Sequence, residues 1–116
     1  MLTSSEENSV RIATDAYNQA IENTASSSGL ALVDLNGILQ EASTVGISFD
    51  DYTMTTDLVF GGLVSLDGIH LTARGYALMA NKFLEAIDAT YGSNFIEAGQ
   101  VAKADNYPVG YSAELQ

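Results

Sequence analysis

The sequence has no cysteine, which excludes a disulfide framework and a thiolate metal site and leaves the redox compartment open. It has one histidine, so any site built here has a single imidazole to use as ligand or base. Basic residues are scarce: four Lys and Arg against fifteen Asp and Glu give a formal net charge of −11, which argues against nucleic acid or an anionic membrane surface as partner. No apolar run approaches the roughly 20 residues that a membrane-spanning helix needs. The first ten residues, MLTSSEENSV, lack the basic and apolar regions of a signal peptide, so if the protein is exported its signal is expected outside this sequence. What is present is a globular composition. At 116 residues, 47% of them hydrophobic, the chain has single-domain length and can bury roughly two-thirds of its unfolded surface.

Thr3 or Ser4, with an acid three residues later, gives a capping-box start to a first helix. Val10, Ala13, Tyr17, Ala20, Ile21 and Thr24 recur at helical spacing and form its apolar stripe, and Ala25–Gly29 ends it. Leu30-Ala31-Leu32-Val33 is a short apolar run directly after that helix, which predicts a strand buried on both faces, as in a parallel sheet. Asp34 then either caps a short helix over Leu35–Ala42 or faces a ligand at the strand end. Ile47–Phe49 and Tyr52–Met54 flank Asp50-Asp51 and predict a hairpin. Thr72 opens a second long helix with Tyr76, Ala80, Phe83, Leu84 and Ile87 along its packed face and Lys82 and Glu85 toward water; Tyr91-Gly92 stops it. Residues 97–116 read as an irregular tail.

The chemistry concentrates between Leu58 and Ala80. Asp67 and His70 stand three apart across a Gly at the mouth of the second helix. A carboxylate at that spacing can accept a hydrogen bond from one imidazole nitrogen, fix the tautomer and leave the other nitrogen to take a proton from a nucleophile. The same spacing also serves a plain turn, since Asp-Gly is a turn signal in its own right. A metal site is disfavoured, because His70 has no nitrogen or sulfur companion and Asp50, Asp51 and Asp57 lack calcium-loop spacing.

Residues 65–77, SLDGIHLTARGYA, resemble the last sequence block of the SGNH hydrolases, the GDSL-type lipases and acylhydrolases, whose pattern is Asp-Gly-x-His-Pro-Thr-x-x-Gly. Leu71 stands where that family commonly has Pro. Leu2-Thr3 with Glu6, then Tyr17-Asn18 and Gly29–Asp34, are similar to the final helix and strand of bacterial members, so the likeness covers roughly residues 2–96. The resemblance implies that residues 1–96 form the C-terminal part of an α/β, three-layer αβα (flavodoxin-like) fold with a largely parallel sheet. It implies His70 as general base and Asp67 as the residue that orients it, in an esterase or lipase acting on carboxylic esters without a cofactor. Export to the periplasm, as a lipoprotein or into the medium is suggested by that resemblance alone.

The same resemblance shows what is missing. No serine stands in a Gly-Asp-Ser or Gly-x-Ser-x-Gly setting, and the family's Gly and Asn oxyanion blocks are absent. Gly61-Gly62 offers either backbone donors near the site or a flexible join, and Leu58–Leu66 either lines the approach or is a buried strand or loop. The chain alone is therefore expected to be inactive, with a small-molecule ester as substrate once a missing N-terminal half, or self-association, completes the site. The rival readings are a non-catalytic acidic α/β interaction module and a complete small domain whose Asp67 and His70 only stabilise a turn.

Overall fold

The structure is a computed structural model that describes residues 1–110. The chain divides into two compact units, Met1–Leu32 and the part that begins at Val33.

The first unit is dominated by helix α1 (Ser4–Ser28). Its N-terminus is a full capping box: Thr3 N–H donates to Glu6 Oε2 at 2.7 Å and Glu6 N–H donates to Thr3 Oγ1 at 3.3 Å. Thr3 N–H, and with it the Thr3 hydroxyl donating to the same oxygen at 2.9 Å, holds the Glu6 carboxyl below its ordinary pKa. Gly29, with φ of 65°, closes the helix in the left-handed region, where Leu30 N–H returns to Ala25 O at 2.9 Å. Of the expected stripe, Val10, Tyr17 and Ile21 are exposed; Ala25 is the buried residue of the helix.

The expected parallel sheet is not there. Among the described residues the sheet is two-stranded and antiparallel, so the three-layer αβα expectation is overturned for this chain. A parallel strand exists only beside a neighbour that shares its ladder. Leu30–Val33, the run that fits such a strand, takes no strand conformation, and Leu30 and Leu32 remain exposed. Its apolar character carried the prediction, and composition cannot supply the partner.

The second unit starts with helix α2 (Leu35–Thr44), capped by Asp34, whose carboxylate accepts from Gly37 N–H at 2.9 Å. Asp34 is a cap. Strands β1 (Ile47–Phe49) and β2 (Tyr52–Met54) form the expected hairpin, with Ile47 opposite Met54 and Phe49 opposite Tyr52. Asp50 takes a positive φ of 51° in the turn, a conformation that Asp tolerates better than most residues. Period-two alternation sends Ile47 and Phe49 inward and Ser48 outward. The core joins Ile47, Phe49 and Met54 to Ala42 of α2, to Leu63 and to Ala77, Leu78 and Met79.

Those last three belong to helix α3 (Ala73–Tyr91), closed by Gly92 in the left-handed region. Its packed face differs from the expected one. Gly75, Ala77, Leu78 and Met79 are buried, whereas Tyr76, Ala80 and Phe83 are exposed and Lys82 is half-buried, its ammonium donating to Glu85 at 3.2 Å. The helix is apolar on more than one side, so periodicity alone allows either phase.

Of segment 97–116, residues 111–116 lie outside the described residues. The preceding part is tied to α3 and the hairpin. Asn81 exchanges two hydrogen bonds with the Ala102 backbone, at 2.9 and 2.8 Å, and Arg74 Nε donates to Ala104 O and Tyr107 O, each at 3.0 Å. Arg74 also stacks 3.8 Å above the Tyr52 ring, whose hydroxyl donates to Asp105 at 2.7 Å. Ala104 is fully buried, and its N–H donates to Asp50 at 2.7 Å.

Candidate active site

Asp67 and His70 lie on a closed loop that the core holds at its base. Val64 and Leu71 form an isolated antiparallel bridge, and Ser65 N–H donates to His70 O at 2.8 Å just beyond it. Gly68 N–H donates to Ser65 O at 3.0 Å, and Gly68 has φ of 72°, so the turn uses a backbone conformation that glycine enters without steric cost. Below the bridge Thr72 secures the exit. Its N–H donates to Leu63 O at 2.9 Å, its hydroxyl donates to Gly62 O at 2.6 Å, and the same oxygen accepts from Gly75 N–H at 2.9 Å to cap α3.

Within this frame His70 Nδ1 lies 2.6 Å from Asp67 Oδ2. The other carboxylate oxygen, Oδ1, accepts from Ser65 Oγ at 2.8 Å, Ile69 N–H at 2.8 Å and His70 N–H at 2.9 Å. The imidazole, followed by the Ile69 amide, the Ser65 hydroxyl and the His70 amide, holds the Asp67 carboxyl far below its ordinary range, because every donor favours the charged form. An ionised Asp67 accepts only, which places a proton on His70 Nδ1; in the neutral ring Nε2 is then the acceptor. The His70 side chain is 69% exposed, and among the described residues Nε2 has no hydrogen-bond partner.

A cleft of about 550 Å³ opens beside the loop, lined by Leu35 and Leu39 of α2, Leu58, Val64, and the two residues that flank the histidine, Ile69 and Leu71. Its wall is almost wholly apolar, and its size falls within the usual range for small-molecule sites. Asp67 and His70 stand outside its lining, at its edge. Of the expected approach, Leu58 and Val64 line the cleft, Leu63 is fully buried, and Phe60 and Leu66 are exposed.

Gly61 and Gly62 are neither a flexible join nor a pair of free donors. Gly61 is buried, its N–H donates to Asp57 O at 2.8 Å, and a Cβ there would collide with the Thr55 carbonyl. Asp50 is spent on Ala104, and no group of three or more His, Asp or Glu able to hold a metal occurs among the described residues. No helix among them is long and apolar enough to cross a membrane.

Two contributors escaped the sequence reading. Ser65 is one of many serines, and only the Ser-x-Asp spacing hints that its hydroxyl folds back on Asp67. Thr72 reads as a helix cap, but nothing in the spacing announces its second bond to Gly62 ten residues earlier. Compared with known proteins, the chain matches no family model, no curated protein and no solved structure.

Proposed function

We propose that the chain supplies the oriented general base of an SGNH/GDSL-type serine esterase, with the nucleophilic serine and the oxyanion donors contributed by another polypeptide segment. The observation that carries this reading is the 2.6 Å contact between His70 Nδ1 and Asp67 Oδ2 in a loop where the opposite imidazole nitrogen stands open. In the proposed reaction His70 Nε2 takes the proton of a serine hydroxyl as it attacks the ester carbonyl, and returns it to the leaving alkoxide. Asp67 remains ionised and stabilises the imidazolium between those steps. The apolar cleft beside Ile69 and Leu71 favours esters with a hydrocarbon group on the side that enters it. The proposal stands on the dyad and on the sequence block around it, and makes no use of a parallel sheet.

The test supplies the missing serine. The chain is mixed with, or fused behind, a polypeptide carrying the Gly-Asp-Ser and oxyanion blocks of an SGNH hydrolase, and hydrolysis of p-nitrophenyl esters is followed. The expected result is turnover that neither component shows alone and that His70→Ala reduces by about 10²–10⁴-fold, the range for loss of a general base. No turnover from the pair, or turnover indifferent to His70→Ala, contradicts the proposal.

A second reading, an interaction module, draws on one observation of its own. Leu58, Val59 and Phe60 form an apolar loop tip, with Phe60 93% exposed and Val59 at a positive φ of 75° that β-branched residues avoid. If recognition is the whole function, a partner captured by this tip binds His70→Ala and wild type equally, whereas Phe60→Ser abolishes capture.

A further inference from the structure

Ser65 holds a place that its chemistry alone does not require. Its backbone is fixed on both sides, with its N–H donating to His70 O at 2.8 Å and its carbonyl accepting from Gly68 N–H at 3.0 Å, so the loop would close without any side chain at this position. The hydroxyl instead reaches forward 2.8 Å to Asp67 Oδ1. Asp67 Oδ1 also takes the Ile69 and His70 amides, at 2.8 and 2.9 Å, and three donors on one oxygen saturate it. The carboxylate is then unable to rotate without breaking all three bonds, and Oδ2 has one partner, His70 Nδ1 at 2.6 Å. Two of the three donors on Oδ1 are backbone amides. Ser65 is the side chain that completes the set, and it is half-buried where Asp67 and His70 are exposed, so it extends the order of the packed base of the loop to the exposed dyad.

We propose that Ser65 is a positioning residue of the site, which locks the Asp67 carboxylate through Oδ1 so that Oδ2 holds the neutral His70 in its Nδ1–H tautomer. Its catalytic consequence rests on the esterase reading; its effect on Asp67 and His70 does not. Asp67 remains ionised well into acid because of this donor set, and the Ser65 hydroxyl is one of its contributors. Losing the hydroxyl leaves Oδ1 with two backbone donors, frees the carboxylate to turn, and lets the neutral imidazole populate both tautomers.

The experiment compares Ser65→Thr with Ser65→Val, two β-branched side chains of equal shape that differ in the hydroxyl. In the intact chain, the Asp67 carboxyl carbon is titrated by NMR, and the His70 ring nitrogens report the tautomer above the range where the ring is charged. The expected result is that Ser65→Thr matches wild type, while Ser65→Val moves the Asp67 midpoint upward toward the ordinary carboxylate range and mixes the tautomers. Equal behaviour of the two variants, whether both match wild type or both depart from it, overturns the proposal. In the serine-supplied enzyme, Ser65→Val should lower kcat about tenfold with KM little changed, and Ser65→Thr should restore it, in line with losses seen when an orienting partner is removed. An inactive mixture counts against the esterase reading and leaves the titration result standing, so the two failures are distinct.

Discussion

Asp67 ties the electrostatics of the site to the stability of the fold. Its carboxyl is depressed from an ordinary value of 3.8, first by the His70 imidazole and then by the Ile69, Ser65 and His70 donors. Between the depressed folded value and 3.8, the unfolded chain binds more protons than the folded one. The stabilisation is therefore fully present above the unfolded value and is lost as the pH falls through the folded value. Urea unfolding midpoints of wild type and Asp67→Asn should differ at about pH 5, and the difference should shrink with further acid. A gap that persists unchanged below about pH 5 would show that the charge of Asp67 is not what the loop uses. Two glycines near the site make a further contrast. Gly68→Ala meets open space but a positive φ, and should cost about 1–2 kcal/mol. Gly61→Ala has no such φ but meets the Thr55 carbonyl, so a backbone shift is forced and the cost should reach about 3 kcal/mol, the upper end of overpacking. Chemical denaturation of both variants checks the order, Gly61 above Gly68.

At the scale of elements, the N-terminus of α3 is the part on which the dyad loop depends most. Thr72 closes the helix and clamps Gly62 with one hydroxyl, so Thr72→Ala should lose about 1–2 kcal/mol, while Thr72→Ser should lose much less because it keeps both bonds. Hydrogen exchange at the Thr72 and Gly75 amides would read that loss locally. Elements governed by short-range chemistry were legible in the sequence: the Thr3 capping box, the Asp34 cap, the hairpin over Ile47–Met54 and both ends of α3 all follow from residues within seven positions of each other. Elements governed by long-range partners were not. Leu30–Val33 has the composition of a buried strand and is not one, and α3 carries apolar residues on two sides, so its buried phase was decided by Leu63 and the hairpin. The candidate site divides the same way. Asp67 and His70 were readable as a local pair, whereas the cleft needs α2, the long loop and α3 together, and no spacing in the sequence announces that meeting.

For the molecule as a whole, the turn at Leu58–Phe60 and the dyad loop both leave apolar side chains exposed. Leu58, Val59, Phe60, Leu66 and Ile69 are each more than half exposed in a chain of net charge −11. Charge keeps such a chain soluble, and the apolar tip gives it a reason to associate, more strongly as salt screens the repulsion. Light scattering should show association that rises with salt and that Phe60→Ser reduces; a monomer at all salt concentrations would contradict it. The central claim concerns the dyad and is tested most directly by a double-variant cycle in the serine-supplied enzyme, with kcat/KM for a p-nitrophenyl ester measured for wild type, Asp67→Asn, His70→Ala and the pair. If Asp67 acts only by orienting His70, the double variant is no slower than His70→Ala alone. Losses that multiply, or a His70→Ala variant as fast as wild type, would contradict the account.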